Sequence, residues 1–437
     1  MFAGLQNIAR IPELRQRILF TFAMLIVYRI GCHIPTPGID GSVLAKFFEG
    51  QQGTLLGLVS SFTGGALANM TVFALGIMPY ISASIILQLL TVVFEPLERL
   101  QKEGEQGRRT ITQWTRYGTI ALSVIQGAGI AIGLQSMTGP AGEPVVPIAG
   151  YGFVLMTVIT LTAGTAFIMW IGEQITERGI GNGISLIIYA GIVAGMPKGI
   201  VNTIRLVKTN EMTPVMILAL VVIMAVVTAA IIFMERAQRR VPIHYAKRVV
   251  GMRNYGGQAS HLPLKINMSG VIPPIFASSL IMFPTTVAQL IDAPQLQSLI
   301  QQYMSPGNIV YNLFYVALIV FFCYFYTAVQ FNPVDVADNV KRQGGYVPGI
   351  RPGKETADYL DSVLSRLTFA GAIYISAVCV LPTLLIGRFG VPFYFGGTSL
   401  LIVVGVGMDT ASQIEAHLIS RSYEGFMKGV TLKGRRS

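Results

Sequence analysis

Charge is what this sequence has least of. Only 12% of its 437 residues are Asp, Glu, Lys or Arg, against roughly 25% in a soluble globular domain, which makes lipid rather than water the solvent of most of the chain. Cysteine is nearly absent. Cys32, Cys323 and Cys379 each sit in an apolar stretch without paired spacing, which excludes a disulfide framework and a thiolate metal site and leaves three small buried hydrophobes. Histidine is as sparse: His33, His244, His261 and His417 form no H-E-x-x-H, and no G-x-x-x-x-G-K-[ST] occurs. Neither a zinc hydrolase nor a P-loop nucleotide site is therefore expected. Acids inside apolar runs are almost missing, with Asp409 at the end of the last run the nearest case. A proton-coupled pump needs buried carboxylate or histidine relays, so that class loses its machinery. No catalytic residue, metal or cofactor is expected.

What the chain has in abundance is apolar length, with 52% hydrophobic residues. A membrane span needs about 20 mostly apolar residues. Ten segments meet or approach that: Ile18–Pro35, Val72–Phe94, Tyr117–Leu134, Gly152–Gly172, Ile184–Val201, Pro214–Met234, Asn267–Ile291, Val310–Phe331, Leu367–Ile386 and Gly396–Met408. The stretch before the first run is polar and charged, and no A-x-A site follows that run. It reads as a span and not as a cleaved signal. Alternate connections carry very unequal numbers of Lys and Arg: 26 on one side and 5 on the other, with Arg29 inside the first run completing the 32. Positive charge stays in the cytoplasm, which places both termini there. The organisation that follows is a cytosolic tail 1–17, a first half of five spans 18–201, an external connection 202–213, a second half 214–408 and a cytosolic tail 409–437. The second half contains two large basic loops, 235–266 and 332–366. An odd number of spans in each half inverts one half against the other, as in many conducting folds. The fold class is an all-α polytopic membrane protein.

The spans are not uniformly apolar. The second reads VFALGIMPYISASIILQLL, with Pro79 as an expected helix break and Ser82, Ser84 and Gln88 along it. The seventh carries Asn267, Ser269, Ser278 and Ser279 around the doubled Pro273–Pro274. Such groups glue helices together; two spans with one pattern also fit the walls of an aqueous path. The stretch Gly53–Met70 between the first two spans is apolar, glycine-rich and too short to cross. It is either a surface loop or a re-entrant half-helix held inside the bundle. Arg29, toward the outer end of its span, is expected to snorkel to the interface and to have no further role.

Several long segments carry a resemblance: FALGIMPYISASIILQLL (73–90), KEGEQGRR (102–109), GEQITERGIGNGIS (172–185), HLPLKINMSGVIP (261–273), TAVQFNP (327–333), GYVPGIRPGKET (345–356) and PFYFGGTSLLIVVGV (392–406). From about Ile11 to the C-terminus the chain resembles the bacterial SecY family, the central subunit of the Sec protein-conducting channel. The doubled proline departs from the family pattern in its second place.

The resemblance implies ten helices in two inverted halves around a pore, with a re-entrant plug helix over 53–70. The plug residues would be Leu55, Leu56, Val59, Ser60, Phe62, Gly64, Gly65 and Asn69. The constriction would be a ring of Ile77, Ile81, Ile188, Ile275 and Ile402; a narrow apolar throat resists ions and grips no passing chain. Ser82, Ser84, Gln88, Asn267, Ser269, Ser278 and Ser279 would lie at a lateral gate between the second and seventh spans. The first basic loop would offer Arg236, Arg239, Arg240, Lys247, Arg248 and Arg253 to the SecA motor and the ribosome. The second would offer Lys341, Arg342, Arg351 and Lys354, with Arg351 framed by Gly-Ile-Arg-Pro-Gly.

Implied partners are SecE, SecG, SecA, the ribosome, signal peptides and preproteins, SecDF, YidC and membrane lipids. The implied activity, in a bacterial inner membrane, is passage of unfolded preproteins and lateral release of membrane helices, with no covalent chemistry. A small-solute transporter and an intramembrane hydrolase are the competing classes. The first lacks a central polar site and the second lacks a nucleophile and base.

Overall fold

The computed structural model describes residues 11–41, 43–44, 63–137, 143–209, 213–245, 248–250, 253–255, 259–291, 308–389 and 397–429. A helix stands at each of the ten expected spans. Seven described helices are long and apolar enough to cross a membrane, or eight if one bent pair counts as a span. Contacts divide the chain into two units, Met1–Val201 with Phe283–Ser298 and Val406–Ser437, and Asn202–Met282 with Leu299–Gly405.

In the first unit, α1 covers Pro12–Gly31, α2 Met78–Val93 and α3 Glu95–Lys102; α4 covers Glu105–Ser136, α5 Tyr151–Arg178 and the start of α6, Gly183–Lys208. Pro79 does not break α2, as the sequence reading expected; it starts it, in the first turn. A proline lacks the N–H that a first-turn residue could not use anyway. The second span is accordingly shorter than its apolar run, with residues 72–77 as turns ahead of it. At Phe94 the chain bends by 100° into α3, which bears the pairs Arg99–Glu95 at 2.7 Å and Lys102–Glu98 at 2.6 Å. Large apolar side chains such as Phe22 (61% exposed) and Leu155 (66%) point outward, as lipid-facing surfaces require.

The motif GEQITERGIGNGIS makes the α5–α6 corner. Asn182 Oδ1 caps α6 by accepting from the Ile184 and Ser185 amides at 3.1 and 3.3 Å. A Cβ on Gly183 would run into the Gly172 carbonyl, so the two helices meet backbone to backbone. The Ile180 amide donates to Thr21 Oγ1 at 3.1 Å, and the Gly181 amide to Gln413 Oε1 at 3.0 Å. One corner thus ties α1 and α12 (Gly397–Gly429) to α5 and α6.

In the second unit α7 covers Pro214–Arg236, α8 Ile272–Ile291, α9 Ile309–Gln330, α10 Pro333–Arg342 and α11 Lys354–Phe389. Only 6% of the apolar window of α7 is buried, which leaves its surface to lipid or to another subunit. The all-α expectation needs one amendment here, because the two basic loops contain strands. β1 is Gln238–Tyr245, β4 Ala259–Lys265 and β5 Gly345–Tyr346, in the order β4-β1-β5; β2 (Arg248–Val250) and β3 (Arg253–Tyr255) form a hairpin. The register pairs Val241 with Leu262 and Tyr245 with Gly345. Val241 and Ile243 are buried while Arg240, Pro242 and His244 are exposed, the two-residue period of a strand with one wet face.

The two loops share one core. Val241, Leu264, Val347, Leu360, Val363 and Leu364 form a buried cluster that Phe331, Val336 and Ile350 cover. The loops 235–266 and 332–366, separate in the sequence, are one module on the roots of α7, α9 and α11. Leu264 is fully buried, so Leu264→Ala is expected to loosen both loops together, at a cost of about 2–5 kcal/mol. Limited proteolysis reads this: faster cleavage within 238–265 and within 345–353 is the expected outcome, and cleavage in one loop alone would contradict the shared core.

Candidate functional site

Residues 63–77 hold the first part of the site. They run as successive turns at the level of the helices and are mostly buried. Their backbone groups pair with the extended stretch that follows α1: the Thr36 amide donates to Met70 O at 2.9 Å, and the Val72 amide to Ile34 O at 3.0 Å. Gly64 and Gly65, at φ +65° and +86°, adopt the left-handed conformation that glycine tolerates. A Cβ on Gly64 would lie 3.0 Å from the Gly191 backbone, so glycine meets glycine where the segment crosses α6. Phe73 stacks on Tyr28 at 6.0 Å and on Phe167 at 6.1 Å.

Arg29 corrects another sequence expectation. It does more than snorkel: its Nη1 donates to the Gly64 carbonyl at 3.2 Å. A half-buried guanidinium at the end of a span is stabilised by that carbonyl, and the turn in turn is fixed to α1. Of the expected plug residues, Gly64 and Gly65 lie in this segment half-buried, and Asn69 is exposed. Leu55, Leu56, Val59, Ser60 and Phe62 lie outside the described residues. The described part, 63–70, is turns rather than helix.

The five isoleucines all lie in or at the start of spans. Ile77 precedes α2, Ile81 follows one turn on, Ile188 is in α6, Ile275 in α8 and Ile402 in α12. Ile77, Ile81, Ile188 and Ile402 are 6%, 5%, 5% and 0% exposed, and Ile275 is half-buried.

The polar residues of the second and seventh spans divide into two kinds. On α2, Ser82, Ser84 and Gln88 are half-buried, and Gln88 Nε2 donates to Ser84 Oγ at 3.4 Å. Gln88 Oε1 is buried and accepts no hydrogen bond among the described residues. On α8, Ser278 and Ser279 both donate to the Ile275 carbonyl, at 2.9 and 2.8 Å. Asn267 and Ser269 precede α8 and are held in a buried network with Glu235, an acid that sequence reading placed in the basic loop and did not single out.

The basic module presents Arg236, Arg239, Arg240, Lys341, Arg342, Arg351 and Lys354 as exposed side chains. Lys247 lies outside the described residues, and the backbones of Arg248 and Arg253 belong to the β2–β3 hairpin. Arg351 sits between Gly349 at φ +80° and Gly353 at φ +110°. Its carbonyl accepts from Thr356 Oγ1 at 2.8 Å, while the Ile350 amide donates to Val347 O at 3.1 Å. Arg236 and Arg239 flank a shallow groove of about 810 Å³ with Ile232, Phe233, Ile266 and Leu367, where apolar helix meets basic sheet. Among the described residues no group of His, Cys, Asp or Glu stands together as a metal site.

A family profile described as SecY matches residues 71–411. The protein translocase subunit SecY of Escherichia coli K12 is 52% identical over 425 residues, covering 97% of this chain and 96% of its own length. Among solved structures, a protein-conducting channel superposes with a TM-score of 0.69 at 17% identity, covering 95% of this chain and 97% of its own. The Sec61 of a canine ribosome–channel complex superposes with a TM-score of 0.65 at 16% identity, with the same coverage.

Proposed function

The chain belongs to the SecY family, and from that premise we propose that it is the channel subunit that passes unfolded preproteins across the membrane and releases apolar helices sideways. The observation that carries the reading is the stretch 63–77. Irregular backbone at membrane depth is tolerated only where protein surrounds it or where it lines a cavity. Here it is paired to the stretch just after α1, bonded by Arg29 of α1 and crosses α6 on two glycines. Such a segment seals by packing and can move without unfolding a helix, which is what a plug must do.

Ile77, Ile81, Ile188, Ile275 and Ile402 form the constriction in this proposal. Branched apolar side chains make no hydrogen bonds to a passing chain, and a narrow apolar throat dewets against ions. The second and seventh spans, with Ser82, Ser84, Gln88, Ser278 and Ser279, form the lateral exit. A helix leaves there because each central Leu, Ile, Phe or Val favours lipid by about 0.3–0.6 kcal/mol. The two halves, 18–201 and 214–408, are inverted about the pore, and both termini and the basic module face the cytosol of a bacterial inner membrane.

The module then docks whatever drives transport. Seven exposed cations on a module with its own core suit ribosomal RNA phosphates and an acidic face of the SecA motor alike. SecE and SecG complete the complex. The chain itself makes and breaks no covalent bond, and the energy comes from SecA or from translation.

Reconstitution tests this. The chain is placed in vesicles with SecE, SecG, SecA and ATP, and protection of a preprotein from external protease is measured. Protection that requires both ATP and this chain is the expected result. A folded complex that protects nothing, with either SecA or translating ribosomes as the driver, would overturn it.

A further inference from the structure

Glu235 is the last acidic residue of α7, half-buried where the most apolar helix of the chain ends. Its Oε1 accepts a 2.6 Å hydrogen bond from Asn267 Nδ2. The same amide nitrogen donates to the Gly270 carbonyl at 3.1 Å, and Asn267 Oδ1 accepts from Ser269 Oγ at 3.1 Å. Asn267 and Ser269 are each 4% exposed. Asn267 therefore uses both donors and its acceptor, one donor across to α7 and the other two bonds within its own turn.

The backbone of that turn is held as closely. A Cβ on Gly371 would lie 2.9 Å from the Ile266 carbonyl, so α11 passes directly against it. Gly270 then turns the chain with φ +61°, and Ile272, Pro273 and Pro274 begin α8. Below Gly270 the chain is fastened to α7 and packed against α11. Above it, Pro273 and Pro274 stand in the first turn of α8, where an amide has no intrahelical partner to lose.

We propose that Glu235 is the positioning residue of the seventh span: through Asn267 it fixes the root of α8 to α7, so that α8 swings from Gly270–Pro274 and not from its base. A carboxylate here does what a neutral acceptor would do more weakly, because charge-assisted bonds are shorter and stronger than neutral ones. Freeing the root would let α8 occupy open positions without a signal sequence to hold them. The proposal rests on the reading of α8 as a moving wall of the lateral exit.

Exchanging donor and acceptor in the reconstituted complex tests it. Asn267→Asp sets a second carboxylate against Glu235. Glu235→Gln alone keeps an acceptor for the Asn267 amide. The pair Glu235→Gln with Asn267→Asp restores the bond with its direction reversed. The readout is transport of a preprotein with a defective signal sequence relative to an intact one, alongside resting ion current.

Asn267→Asp is expected to raise that ratio by about tenfold, the exchange to return it to within about threefold of the starting protein, and Glu235→Gln to stay in that range. A role in folding alone would lower the yield of complex and leave the ratio where it was. An unchanged ratio in Asn267→Asp, or an exchange no better than the single variant, overturns the proposal. If Asn267→Asp does not accumulate, Glu235→Ala, which removes the acceptor of the Asn267 amide, replaces it, and an unchanged ratio there is equally decisive. A complex that still releases helices with its second and seventh spans cross-linked would defeat the moving-wall reading instead, and leaves the result of the exchange separately visible.

Discussion

Arg351→Glu is expected to reduce SecA-driven preprotein transport by about 100-fold while leaving the protein folded, the loss that follows when a central arginine anchor is reversed at a docking surface. Nothing in the fold depends on the side chain itself. Val347 and Ile350 hold the turn to the module core, and Gly349 and Gly353 supply the two left-handed positions. Thr356 fixes the Arg351 carbonyl, which any residue would offer. The side chain is exposed on that rigid frame, so reversing its charge should change stability by no more than about 0.5 kcal/mol.

Transport and thermal melting measured on the same vesicles separate the two effects. Ribosome binding gives a third reading. If Arg351 serves the motor alone, ribosome affinity should move by less than about threefold, as for a rim charge. Unaltered SecA-driven transport would remove Arg351 from the docking surface.

The second large effect is expected at the constriction. Glycine at Ile81 and Ile188 together should raise the resting ion current of closed complexes on the order of tenfold, since each 1.4 kcal/mol taken from an apolar barrier is a factor of ten. Both side chains are about 5% exposed, and both lie inside helices, α2 and α6. Helix propensity adds about 1 kcal/mol of destabilisation per glycine, so alanine at both sites serves as the control. Alanine narrows the difference in propensity and still widens the throat. Current that rises with glycine but not with alanine would report a loosened helix; current that rises with both reports the ring. No rise in either would place the seal elsewhere, with residues 63–77 the remaining candidate.

How much of this the sequence showed depends on the range over which the residues interact. Spans were legible because each rests on a local property, the apolar length of one segment. The motif GEQITERGIGNGIS was legible as a signature, and the structure explains its glycines by the contact between Gly183 and the Gly172 carbonyl. Pro79 was misjudged because a proline reads as a break unless the helix start is known.

Arg29 and Glu235 were missed for a different reason. Each is a charge whose partner lies far along the chain, Gly64 for one and Asn267 for the other. No window of sequence contains both members. A signal was nonetheless present: an Arg inside an apolar run and an acid at the foot of the most apolar span are both costly placements, and each has a partner in the fold. The strands were hidden because β1 has residues such as Arg239 and Arg240 that read as a topology signal before they read as the wet end of a strand.

The shared core of the two basic loops bears on how the protein is made. Gly345 follows its strand partner Tyr245 by 100 residues, and α8 and α9 lie between them. At roughly 5–20 residues per second of synthesis, β1 waits about 5–20 s for β5. During that interval Val241 and Leu264 have no Val347 or Leu360 to pack against. The sheet therefore closes only after two further helices have been laid into the bilayer and the chain has returned to the same side. A chain in which only one of those two helices inserted would leave β5 on the opposite face, and Val241 and Leu264 would stay uncovered for quality-control proteases to find.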